Sequence, residues 1–369
     1  MPDARPLVQE ITGFVHRHFL LMLVGAYLLA AVLPQPGLWL QHVQFGRVRW
    51  PDGSTVNISL SFLMLSLLLF NAGQGIKAQE LAGLWRRPAV IVIAVIANMA
   101  VPILLVLGFS GLFQLWHNTD ELENLLTGLA LIVSMPVAGS SAAWSQNANG
   151  NLSLSLGLIF LSTVLSPFTT PLLLNLFGCL TTGEYSEDLH ELAAQGTHAF
   201  LALGVVLPSV LGMLVYFLRG EEKTAALRPQ LRLISFLLLL LLNYANAAAS
   251  LPQAIANPDL DFLAFVLGTA IFLCLSAFGA GWLIARLLRA SRSDQASLMF
   301  GLGMNNNGTG LVLAASALSD HPAVLLPVIF YTLVQQVVAA TVDWKLFRPN
   351  GTLPVAPAPC PDPAPEPVD

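Results

Sequence analysis

The stretch Gly303-Met304-Asn305-Asn306-Asn307-Gly308-Thr309-Gly310 lies in the middle of an apolar segment that runs from about Gln295 to Leu318. A segment of that length crosses a bilayer as a helix. Asn competes for backbone hydrogen bonds and Gly loses too much chain entropy, so the stretch predicts a break in that helix. Inside hydrocarbon, every N–H and C=O that a break releases must find a partner in protein or in a wet cavity. A break at this depth is costly unless it builds a site, and transporters hold ions and substrates at such discontinuous helices.

Of the 369 residues, 55% are hydrophobic and 10% charged. A soluble domain carries about 25% charged residues, so composition predicts an all-α polytopic membrane protein. Apolar runs place about ten transmembrane helices, near 17–34, 56–73, 88–113, 124–148, 151–178, 193–219, 230–250, 260–289, 295–318 and 322–343. Phe19 to Leu33 carries no small-residue cleavage site and reads as a span, not a signal peptide. With the N-terminus cytoplasmic, every Lys and Arg except Arg47 and Arg49 falls inside, and both termini are cytoplasmic. Cys179, Cys274 and Cys360 are too scattered for a disulfide framework or a metal site. No basic patch with interleaved aromatics appears, which excludes nucleic acid as a partner.

Residues 1–16 read as a short amphipathic lead-in, and Gln74 to Arg87 as a helix along the interface. Pro34, Pro36 and Pro51 predict extended or turn structure from Pro34 to Thr55. The fourth span repeats the pattern of the ninth. Pro136 and Gly139 interrupt it, and a small, polar run follows from Ser140 to Asn151. Five spans on either side of the middle loop give halves of opposite orientation, with the site where broken spans 4 and 9 cross. The repeats are residues 1–183 and 184–346, and the Pro-rich tail, 347–369, reads as disordered and cytoplasmic.

Asn149-Gly150-Asn151 through Ser155, followed by Ser162-Thr163-Val164-Leu165-Ser166-Pro167-Phe168-Thr169-Thr170-Pro171, resembles the fifth-helix signature of the bile acid:sodium symporter family. Gly303-Met304-Asn305-Asn306-Asn307-Gly308 is similar to that family's ninth-helix motif. The resemblance implies a panel domain of spans 1, 2, 6 and 7 beside a core of spans 3–5 and 8–10. It also implies sodium-driven uptake of a small organic anion across the cell inner membrane, with sodium bound behind the crossover.

Carried over residue by residue, the family's first sodium site matches Ser141 and Ser155, while Ala142 and Ile159 stand where an amide and a hydroxyl are usual. The second site matches Asn98, Leu302, Met304 and Asn305. The acidic residue shared by both sites aligns with Gly301, and no Asp or Glu lies deep in any span. A cation without a counter-charge in a low-dielectric site costs several kcal/mol, although carbonyls and hydroxyls alone can hold an ion. At most one coupled sodium is therefore expected, held by Asn98, Leu302, Met304 and Asn305. The rivals are a sodium-independent carrier and a transport-inactive receptor on the same fold. Without an embedded carboxylate or His, a proton relay has no residues to use.

For the substrate, the open N-terminal ends of the broken helices favour an anion. Gly139, Ser140, Asn306, Gly308 and Thr309 are expected to line that point. Asn147 and Asn149 read equally as ligands or as helix caps. Gln335 and Gln336 read as cavity-facing donors or as interhelical glue, and Asn243 and Asn246 admit either role. Trp144 lies close enough to the crossover to stack on a substrate. No nucleophile–base pair or metal-ligand cluster appears, so an enzyme is not expected.

Overall fold

The computed structural model describes residues 5–51, 53–76, 88–113, 115–194, 196–318 and 320–347, so the expected interface helix and the tail lie outside the described residues. The chain begins with α1 (Arg5–Arg17), α2 (Phe19–Val32) and α3 (Gln35–His42). An antiparallel hairpin, β1 (Gln44–Arg49) with β2 (Thr55–Ser59), leads into α4 (Leu60–Gly73). Next come α5 (Pro88–Phe113), α6 (Thr119–Ser134), α7 (Ser140–Asn147), α8 (Leu152–Gly178) and α9 (Gly183–Ala194). The second half holds α10 (Thr197–Arg219), α11 (Glu221–Ala247), α12 (Leu251–Ala256), α13 (Leu260–Leu287), α14 (Arg292–Gly303), α15 (Asn307–Ala317) and α16 (Leu325–Val342).

The fold is all-α and polytopic. Among the described residues six helices are long and apolar enough to span a membrane, and seven if α2 and α3, bent by 94°, are taken together. Fewer helices meet that length than there are apolar runs, because α6–α7 and α14–α15 are interrupted and α4 has only 14 residues. The loop from Pro34 to Thr55 departs from the extended reading, since eight of its residues are helical. Proline at a helix start is tolerated there, where its missing N–H would have no partner anyway.

Helix starts carry the caps that polar residues supply. The side chains of Ser59, Asn118, Asn151, Asp259, Ser291 and Asn306 each accept an N–H from the first turn they precede. Interior prolines are handled in the same way. Pro167 leaves the Thr163 carbonyl without its helical donor, and the Ser166 hydroxyl donates to it at 2.7 Å. Pro208 does the same to Gly204 within a π-helical turn, Ala202–Val206, and the Ser66 hydroxyl of α4 reaches that carbonyl at 3.3 Å.

Helices α2, α4, α10 and α11 pack chiefly on one another, and α5–α8 with α13–α16 form a second group. Lipid tails are as apolar as leucine, so contact must come from close packing at small residues. A Cβ on Gly212 would run into the Phe70 carbonyl of α4, and one on Gly73 into the Ser209 carbonyl of α10. At Gly281 a Cβ would stand 2.7 Å from the Met299 Cα of α14. Gly212→Ala is therefore expected to lower thermal stability in detergent by about 1–3 kcal/mol, the usual cost of overpacking. Gly108→Ala, whose Cβ meets nothing within 4 Å, serves as the control and should be neutral or slightly stabilising. Equal melting temperatures for the two variants would refute this account of the packing.

Candidate functional site

The two interruptions meet. Val137 and Asn305 pair as an isolated antiparallel β-bridge. The Ala138 N–H donates to the Met304 carbonyl at 2.9 Å, and the Asn306 N–H donates to the Pro136 carbonyl at 2.8 Å. Each broken helix thus supplies the partner that the other one lacks.

Side chains of the surrounding helices take up the remaining main-chain groups. The Val137 N–H donates to Ser162 Oγ at 3.1 Å, and the Thr170 hydroxyl donates to the Ser134 carbonyl at 2.6 Å. Both come from α8, within the polar motif that follows Ser155. On the other side Gln335 uses its whole amide, its Oε1 accepting from the Asn305 N–H and its Nε2 donating to the Asn305 carbonyl, both at 3.3 Å. Gln335 is buried, and its amide is engaged with the main chain of Asn305. Gln336 accepts the Trp144 indole N–H at 3.2 Å, and the Trp144 ring stacks on Phe300. Gln335 thus bonds the main chain of the break, and Gln336 bonds Trp144 of α7.

The far end of α7 is locked to α14. Asn149 adopts a left-handed conformation (φ 54°), and the Gly150 N–H returns to the Ser145 carbonyl at 2.7 Å. That is the geometry of a helix C-cap, which assigns Asn149 to capping. Ser145 and Ser297 share a hydrogen bond of 2.8 Å, and Asn151 Nδ2 donates to the buried Asp294 carboxylate at 2.8 Å. Nothing in the sequence pattern pairs these residues, which lie more than a hundred positions apart.

The crossover is open on one side only. Gly139 and Ser140 are exposed, as are Ala143, Gln146 and Asn147 along one face of α7. Among the described residues the Gly139 and Ser140 N–H groups make no main-chain hydrogen bond. Asn147 lies on that open face, roughly 10 Å along the helix from Ser140. By contrast Asn307, Thr309 and Gly310 are buried, and Asn306 and Gly308 are half-buried. Asn306 caps α15, its side-chain oxygen accepting the Thr309 N–H at 3.4 Å. The two helix starts touch the first helix group alike. A Cβ on Gly139 would meet Ala72 of α4 at 3.9 Å, and one on Gly308 would meet Leu242 of α11 at 3.9 Å.

Of the expected cation ligands, the Ser141 and Ser155 hydroxyls and the Asn98 amide oxygen are buried without a hydrogen-bond partner. Asn98 lines a water-sized cavity with Ser134, Met135, Pro136, Ser162 and Thr169, beside the break in the fourth span. Leu302, Met304 and Asn305 belong to the other break and do not line that cavity. The Met304 and Asn305 carbonyls already accept hydrogen bonds from Ala138 and Gln335. At Gly301 an added Cβ would lie 2.9 Å from Leu158 Cδ1, so a leucine fills the space beside the missing acid. Asn307, with neither end of its amide bonded, is a polar residue that the sequence reading left without a role.

Two interrupted membrane helices that exchange main-chain hydrogen bonds, with one helix start open, define a membrane transport protein of the discontinuous-helix kind. Residues 17–344 match the SBF-like CPA transporter family, and the chain belongs to that family. It is 34% identical over 223 residues to the uncharacterized protein YbaS of Bacillus subtilis (strain 168), covering 60% of this chain and 69% of that one. It is 25% identical over 288 residues to the uncharacterized sodium-dependent transporter YocS of the same organism, covering 78% of this chain and 84% of that one. The resemblance drawn from the two motifs agrees with this membership.

Removing the Gln335 amide strands two groups of Asn305. Gln335→Leu should cost about 1–3 kcal/mol per unmet group, read as a lower melting temperature in detergent. Gln336→Leu, which frees only a half-buried indole N–H, should cost clearly less.

Proposed function

We propose that the chain is a secondary active transporter that carries a small organic anion by alternating access. The observation that carries this reading is the exposed N-terminal end of α7, where the Gly139 and Ser140 N–H groups make no main-chain hydrogen bond among the described residues and the helix end is positive. A carboxylate or sulfonate of bile-acid-like, pantoate-like or keto-acid type suits Gly139 and Ser140, with Asn306 and Gly308 opposite. The two packing groups support a panel (spans 1, 2, 6 and 7) and a core (spans 3–5 and 8–10), made from inverted repeats 1–183 and 184–346. With a cytoplasmic N-terminus, the open face of α7 looks inward, so this is an inward-facing conformation.

Sodium enters this reading as a co-substrate. Hard cations want oxygen ligands, and the partnerless oxygens of Ser141 and Ser155 in the first expected site and of Asn98 in the second support ion binding at one of them. The name of YocS points the same way. Leu158 beside Gly301 favours the second reading, a carrier that works without sodium.

Proteoliposomes loaded with the substrate anion should take up labelled anion by counterflow, and flat uptake across a panel of carboxylates and sulfonates would leave only a receptor. Replacing sodium by choline should reduce uptake at least tenfold if one ion is coupled, about 1.4 kcal/mol in the working equilibrium. The variant Ser141→Ala/Ser155→Ala should then be as slow in sodium as the parent is in choline. Equal rates in both salts would establish the sodium-independent carrier.

A further inference from the structure

Helix α13 ends in a charged corner that the crossover does not use. The Arg286 guanidinium lies over the Trp282 ring, 4.8 Å from its centroid, and both side chains are exposed. An aromatic and a cation stacked in this way suit the membrane interface, where one end is apolar and the other wet. The turn that follows holds Arg289, exposed and left-handed at φ 48°. The Ala290 N–H returns to the Ala285 carbonyl at 2.8 Å, a helix end of the kind that glycine usually serves. An arginine at a position that suits glycine points to a use for its side chain. Three residues on, Arg292 donates to the Leu346 carbonyl at 2.6 Å. That bond holds the turn Asp343–Phe347, with exposed Lys345, at the same corner. The carboxylates nearest in sequence, Asp294 and Asp343, are buried, so the exposed charge here is positive.

Toward the membrane centre the same helix face is grooved. Leu275, Gly279, Trp282 and Arg286 follow at helical spacing, which puts them in one line along α13. All four are exposed, whereas Ala277, Phe278, Gly281 and Ala285 on the other side are buried. A Cβ on Gly279 would meet nothing within 4 Å, so the line has a notch between Leu275 and Trp282. From Leu275 to Arg286 the helix rises roughly 16 Å, half of the ~30 Å hydrocarbon thickness. An acyl chain of one leaflet therefore fits the length of the groove when its headgroup sits at Arg286.

We propose that this face binds one anionic phospholipid, with an acyl chain in the notch at Gly279 and the phosphate on Arg286 and Arg289. A phosphatidylcholine headgroup cancels its own phosphate, whereas an anionic headgroup leaves net negative charge for the arginines to meet. A second copy about a two-fold axis would set these cations against their own kind. The lipid would sit where α13 gives way to α14, and so beside the first half of the ninth span. Its binding is independent of what the crossover carries.

The test uses the full-length protein in detergent, titrated with phosphatidylglycerol or phosphatidylcholine that carries bromine on its acyl chains. Bromine quenches a tryptophan that it touches, and subtracting the signal of Trp282→Phe isolates Trp282 among the seven tryptophans. Phosphatidylglycerol should half-quench Trp282 at a mole fraction at least tenfold below that of phosphatidylcholine. Arg286→Gln and Arg289→Gln should each remove about fivefold of that preference, the usual weight of one surface arginine. Salt at about 1 M, where screening acts within roughly 3 Å, should remove it as well. Gly279→Leu fills the notch and keeps the charges, so it should weaken both lipids and leave their ratio unchanged. Arg47→Gln/Arg49→Gln, which takes two exposed arginines from the β1–β2 hairpin, should change nothing. Equal quenching by the two lipids in the parent overturns the proposal, as does a preference that Arg286→Gln/Arg289→Gln leaves intact. Absence of quenching by either lipid overturns it too, since protein would then cover this face.

Discussion

The structure depends on a pair of main-chain hydrogen bonds, Ala138 to Met304 and Asn306 to Pro136. In water they would be replaceable, because solvent satisfies any broken turn. In hydrocarbon each unmet group costs several kcal/mol, so two interruptions are tolerable only where they face one another. That requirement brings the fourth and ninth spans together and draws in α8 and α16 as suppliers of Ser162, Thr170 and Gln335. A polar motif on an otherwise apolar helix is thus explained by what its neighbour lacks.

This division shows what a sequence can and cannot reveal. Asn305-Asn306-Asn307 between glycines signals a break because the difficulty is local: those residues make poor helix, and apolar flanks place them in the membrane. The partner that repairs the break is not local. Gln335 lies 30 positions away, and nothing in its own neighbourhood separates a residue that serves the backbone from one that serves a ligand. The same limit hides the Ser145–Ser297 and Asn151–Asp294 contacts. In the loop after α2 the prolines suggested extended chain, yet Pro34 and Pro36 stand at the start of a helix, where a fixed φ helps it begin. Asn149 could be read either way until its left-handed φ assigned it to a cap.

The two helix starts at the crossover are alike in packing and unlike in exposure. Gly139 against Ala72 and Gly308 against Leu242 are matching contacts, but only the first helix start is exposed. Like packing and unlike exposure at the two helix starts are what the alternating-access proposal requires of one end state. The amide of Asn307, beside the buried helix start, has no partner at either end.

A crossover with no side-chain charge can still select the sign of its ligand. Four helix ends meet there, and the two positive and two negative ends would cancel if all were equally available. They are not. The carbonyls at the breaks are used: Ser134 by Thr170, Pro136 by Asn306, Met304 by Ala138 and Asn305 by Gln335. On the open side, the Gly139 and Ser140 N–H groups are not. The main chain of the exposed helix start therefore offers donors, while the carbonyls at the breaks are engaged. A fixed carboxylate would oppose that field unless a cation came with it. At Gly301 that place is taken by Leu158, whose Cδ1 an added Cβ would meet at 2.9 Å.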